Sequence, residues 1–271
     1  VSNTINHKPP VLPPGSFSGA LKGEVKIEVG ALLKHAWDIT PRILIWMIGV
    51  FIGVAAIGFV VTKIMEVFMP INPAFWVEGN EATIQIEDLF IFIISSIIQE
   101  FIMAPFNALF IMVALVNVIG RKPNMALLRY TLTRWRPIVL CSVVKMTTTA
   151  AGVLLLALFL YINTQLAIVL MVLFAIYVQL SFMLAVPLII DRGLTTSKAI
   201  FASVIIINKA MFPVLMLMIL MFIILMISAI PLGLGLIFTV PMLANLVATI
   251  YHSLVGCDVE ELPYWPTEVR H

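Results

Sequence analysis

Charge is scarce in this chain: Lys, Arg, Asp and Glu together make up 11% of its 271 residues, and hydrophobic residues reach 62%. Soluble globular domains carry about 25% and roughly 45–50%. So little polar surface cannot cover a water-soluble fold, which leaves an all-α integral membrane protein. The formal net charge is only +2, and the basic residues sit beside apolar segments rather than in one free run, which gives no reason to expect a nucleic-acid partner. Cysteine is almost absent. Cys141 and Cys257 lie at separate helix ends expected on the same cytoplasmic side, where thiols stay reduced, so no disulfide framework is expected. The first 40 residues hold no apolar h-region with a cleavage site, and insertion is expected to use the first transmembrane helix. The chain also lacks G-x-S-x-G, a P-loop and H-E-x-x-H, and its four histidines have no metal-ligand spacing. These absences predict a protein that is not an enzyme and carries no cofactor or metal.

What is present is long apolar runs. A bilayer core of about 30 Å needs roughly 20 apolar residues in helix. Six segments qualify: Pro41 to Phe68, Gln99 to Gly120, Pro137 to Asn163, Gln165 to Ile190, Pro213 to Ile230 and Leu236 to Val255. The second is the tail of a longer stretch, so residues 84–98 read as a separate outer-surface helix or as a tilted extension bent at Pro105. Around this core the pattern predicts a disordered Pro-rich segment over 1–22, one transmembrane domain over 23–256 with an outer loop at 69–98, and a short cytoplasmic tail over 257–271.

Loop charge sets orientation. Arg121, Lys122, Arg129, Arg134 and Arg136 lie between the second and third spans, and Arg192, Lys198 and Lys209 between the fourth and fifth. The opposite side holds Glu78, Glu81, Glu87 and Asp88, with Lys63 the one exception. The positive-inside rule then places both termini in the cytoplasm.

One junction recurs. "ALLKHAWDITP" from Ala31, "ALLRYTLTRWRP" from Ala126 and "ASVIIINKAMFP" from Ala202 each run from an alanine to a proline that opens a span, and the exits "VIGRK", "IIDRG" and "LVGCD" rhyme. Proline suits a first helical turn because its missing N–H has no partner there. The pattern predicts three hairpins, each preceded by a short amphipathic interfacial helix, as repeats at about 31–120, 126–192 and 202–256. Cytoplasmic flanks also collect Lys, Arg, Trp and Pro by topology alone, so the similarity has a second explanation.

The final stretch, with Asn208, Gly233 and Gly235 of "LGLG", Pro241 and Tyr251, resembles the YciC-type bacterial inner-membrane proteins and the membrane domain attached to some glycerophosphodiester phosphodiesterases. The resemblance is strongest over residues 199–256. It implies a fold and a location in the bacterial inner membrane, and no chemistry.

Ionisable groups inside a bilayer are costly and are candidates for function. Lys145 lies about 12 Å into the third span and forms a stripe with Cys141, Thr148 and Gly152, expected to face the bundle interior. Glu100 begins the second span and Asn107 continues its side, while Asn245, Thr249 and His252 repeat the device on the sixth. Glu100, Asn107, Thr148, Asn245, Thr249 and His252 are the candidate lining of a polar path through helices two, three and six. Interhelical glue is the competing reading, since such hydrogen bonds contribute about 0.6 kcal/mol on average. Gly49 and Gly53 form a GxxxG expected to serve packing within the chain.

Arg129, Arg134, Arg136 and Lys145 are the candidate contacts to anionic lipid headgroups on the cytoplasmic side, or to partner membrane proteins. The residues therefore suggest a scaffold, accessory subunit or lipid-interacting protein. The alternative is a small-solute or ion transporter. Lys145 is expected to reach the inner interface or to meet an anion of a lipid or partner.

Overall fold

A computed structural model describes residues 12–69, 86–230 and 233–258. Every element among them is helical: α1 (Phe17–Lys22), α2 (Val29–Phe68), α3 (Ile86–Val118), α4 (Met125–Thr133), α5 (Trp135–Ala157), α6 (Thr164–Ser181), α7 (Ala185–Asp191), α8 (Thr196–Lys209), α9 (Met211–Ala229) and α10 (Leu236–Val255). Six spans are long and apolar enough to cross a membrane: α2, the Ile94–Val118 part of α3, α5 extended by a 3-10 turn to Tyr161, α6 with α7, α9, and α10. This agrees with the hydropathy pattern. The chain is thus a multi-pass membrane protein by length and composition of its helices. The outer loop falls mostly, and the tail largely, outside the described residues.

The helices pack around a centre made by α2, α3 and α10, with α5 against α3 and α6, and α9 against α10 and α2. Met47, Met112, Leu115, Leu246 and Tyr251 are among its fully buried side chains. Outward faces carry Ile45, Phe59, Leu154, Leu173 and Ile227 in the open, the arrangement expected when the solvent on that side is hydrocarbon.

Proline punctuates the helices in one register. Pro137, Pro187 and Pro213 each occupy the third position of their helix, α5, α7 and α9. Arg134 and Ala210, the residues before α5 and α9, share one turn conformation (φ −86°, ψ 17° and φ −109°, ψ 20°) and each donates its N–H three residues back. The breaks therefore precede the prolines by three residues, because an N3 proline lacks only an N–H that needs no intrahelical partner. At the α6–α7 break the freed backbone is satisfied from a neighbour. The buried Ser203 hydroxyl of α8 accepts from Leu184 N (3.1 Å) and donates to Ser181 O (2.6 Å). Inside a bilayer no water replaces such bonds.

Four expectations need correction. Pro41 does not separate an interfacial helix from the first span: α2 runs unbroken for 40 residues, about 60 Å. Of the two readings of residues 84–98, the separate helix is ruled out and the extension agrees with the described part, since α3 runs from Ile86 through Pro105 to Val118. Residues 12–22 are ordered rather than disordered. Ser16 caps α1 through Gly19 N (3.1 Å), and Gly15 N donates to His252 O (2.9 Å). A Cβ on Gly15 would stand 2.3 Å from two backbone carbonyl oxygens of α10, so only glycine allows this approach. Gly49 and Gly53 pack against no described residue of another element; nothing there lies within 4 Å of a Cβ built on either. The exceptional Lys63 is accounted for locally by its ion pair with Glu66 at 2.6 Å.

Candidate functional site

The polar residues singled out in the sequence divide among three places. The first is at the α4–α5 junction. Arg134, at the break before α5, and Arg136, in its first turn, both face the loop between α7 and α8. There they line a pocket of about 650 Å³ with Thr195 and Ser197, over an apolar floor of Leu140, Val144, Ile200 and Phe201. Arg134 is half-buried. Its guanidinium lies 5.5 Å from the Tyr130 ring centroid and close above Gly193, whose φ of +60° and missing side chain leave it room. Arg136 is exposed and lies over Trp135. Thr196 Oγ1 donates to Pro137 O at 3.0 Å and ties the two walls together. Leu140 and Val144 follow Arg136 by one and two turns, so the floor runs along α5 away from the charged rim. Arg129 is exposed on α4 and does not line this pocket.

The second place is a cleft of about 530 Å³ between α3 and α5, lined by Glu100, Asn107, Lys145, Ser96, Gln99 and two methionines. Thr148 is exposed and outside it, so the stripe from Cys141 does not face one interior: Cys141 is buried, Lys145 half-buried and Thr148 open. Gln99 reaches across to Thr62 at 3.5 Å.

The third place is closed by packing. Asn117 Nδ2 donates to Ile39 O (2.9 Å) and to Asn245 Oδ1 (3.1 Å); Asn245 Nδ2 donates to Thr40 Oγ1 (3.0 Å), which donates to Ala36 O (2.7 Å). Thr249 donates to Asn245 O, and His252 Nε2 donates to Leu12 O at 3.3 Å. Asn245 and Thr249 are 0% exposed and His252 5%. The α10 residues are thus joined to α2, α3 and the N-terminal segment, and none of them lines the cleft of Glu100, Asn107 and Lys145.

A fourth group was missed as a group. Asp191, its side chain fully buried, accepts from Tyr251 Oη (2.6 Å), Asp258 N (2.9 Å) and the Cys257 thiol (3.7 Å). Arg192 pairs with Asp258 at 2.7 Å, donates to Val255 O and Gly256 O, and stacks over Phe17. The rhyming exits "IIDRG" and "LVGCD" were the available signal: these two segments meet each other. No group of three His, Cys, Asp or Glu among the described residues is arranged to hold a metal ion.

Comparison of the chain with family models, with curated proteins and with solved structures finds no match.

Proposed function

We propose that the chain is a non-enzymatic membrane protein that holds anionic lipid at the α4–α5 junction and uses that basic face to pack with or recruit other membrane components. The observation that carries this reading is the pocket of Arg134 and Arg136, whose charged rim and apolar floor match a phosphate headgroup continued by an acyl chain. Positive-inside placement makes this face cytoplasmic, with both termini beside it. The seating of residues 12–16 on the end of α10 supports a shared side for the two ends of the domain. In this reading α4 and α8 lie along the interface and α5 to α7 and α9 to α10 form hairpins, supported by their common break three residues before a proline. The resemblance to YciC-type proteins would put the protein in the bacterial inner membrane.

Near-surface basic residues contribute about 1 kcal/mol each toward anionic lipid. Replacing Arg129, Arg134 and Arg136 by glutamine should cut the preference for phosphatidylglycerol over phosphatidylcholine in nanodiscs by roughly tenfold or more. Arg134 and Arg136 should account for most of it. Native mass spectrometry of the retained lipids reads the ratio, and unchanged selectivity in the triple variant removes the proposal.

A further inference from the structure

We infer that the cleft between α3 and α5 is a binding site for a small zwitterionic group, one that carries a primary ammonium and a phosphate or carboxylate a few bonds apart. The site is separate from the arginine pocket and does not depend on it. Glu100 and Lys145 both line this cleft, yet neither the Glu100 carboxylate nor Lys145 Nζ forms an ion pair or hydrogen bond with a described residue.

The reason they stay apart is axial. Lys145 is ten residues past Trp135, about 15 Å along α5, and Asn107 stands at a similar level, eleven residues before the end of α3. Glu100 is seven residues earlier in α3, about 10 Å toward the opposite membrane face. The two charges therefore mark the two ends of one cleft. Both lie within spanning segments, where an isolated charge is costly and is ordinarily paired.

A single anion would satisfy Lys145 and be repelled by Glu100, and a single cation would meet the reverse. A ligand with both charges satisfies each end at once. Its ammonium donates to the Glu100 carboxylate, its anion accepts from Lys145 Nζ, and the Asn107 amide offers a neutral donor and acceptor beside Lys145. Met103 and Met146 supply the apolar contact for the linking carbons. A phosphatidylethanolamine headgroup and a free amino acid share this chemistry.

The two sources are separated by experiment on the full chain. In nanodiscs of equal phosphatidylethanolamine and phosphatidylcholine, whose quaternary ammonium has no N–H to donate, the wild type should retain phosphatidylethanolamine by about tenfold, the value of one charge-assisted hydrogen bond. Glu100→Gln and Lys145→Met should each lose that preference. Asn107→Leu, at an exposed position, leaves both charges in place but removes the amide donor and acceptor beside Lys145, and it should weaken the preference too. If the source is free, glycine or O-phosphoethanolamine should raise the Tm of wild type in detergent without phosphatidylethanolamine, and should not raise that of Glu100→Gln. Lipid enrichment that the variants abolish supports a lipid ligand, and a variant-sensitive Tm shift alone supports a free one. Absence of both effects, or variants that behave as wild type, overturns the inference.

Discussion

Replacing Asp191 by leucine is expected to lower stability by about 3–5 kcal/mol, the loss of two hydrogen bonds to a charged acceptor at about 1.5–3 kcal/mol each. The carboxylate is the common acceptor for a tyrosine hydroxyl, a backbone N–H and a thiol, all from the end of α10 and the residues after it. Leucine fills similar volume and leaves the buried Tyr251 hydroxyl and the half-buried Asp258 N–H without the carboxylate that accepts from them. Arg192 keeps Asp258 at 2.7 Å, so the charge balance changes less than the hydrogen bonding does. Tyr251→Phe should therefore cost less, about 1.5–3 kcal/mol, because it removes one hydrogen bond to a charged group. Reversible unfolding in mixed micelles measures both. A loss below about 1 kcal/mol for Asp191→Leu would show that the α7 and α10 ends are held by apolar packing alone.

The second large effect concerns the amide pair at the centre. Asn245→Leu breaks the bonds to Asn117 and Thr40, and should cost about 1–2 kcal/mol on the scale of interhelical hydrogen bonds in membranes. Asn117→Leu also removes the donor to Ile39 O and should cost at least as much. Because each residue is the other's partner, the double variant should be less destabilised than the sum of the singles. A double-mutant cycle that adds within error would contradict the coupling seen in the geometry.

The spans were legible because hydropathy reports the solvent directly: twenty apolar residues have few other uses. Helix breaks were only half legible. Pro137 and Pro213 mark spans as the residues suggest, but the turn comes earlier because a proline fits at N3 as well as at N1. Pro41 sits inside an unbroken helix. Thr40 bonds back to Ala36 O, and Asn117 from α3 donates to Ile39 O beside the proline, and a partner 78 residues away is invisible in local pattern. The same distance problem hid Asp191 with Tyr251, 60 residues apart. The polar residues of α3, α5 and α10 do not meet in one cleft: Thr148, Asn245, Thr249 and His252 lie outside the one lined by Glu100, Asn107 and Lys145. Helical spacing gives each helix a polar side without saying which neighbour it meets. On α10 that side met the Thr40 hydroxyl of α2 and the Asn117 amide of α3, and on α3 it met the open flank of α5.

The measurement that tests lipid seating at the basic junction most directly is photo-crosslinking with phosphatidylglycerol carrying a diazirine in the upper part of an acyl chain. With its phosphate between Arg134 and Arg136, the chain follows the floor of the pocket. Adducts should then concentrate on peptides containing Leu140, Val144 and Phe201, and should fall to the level of a phosphatidylcholine probe in the Arg134→Gln, Arg136→Gln double variant. Adducts spread evenly over the exposed apolar faces, or adducts at the pocket that persist in the double variant, would contradict the account.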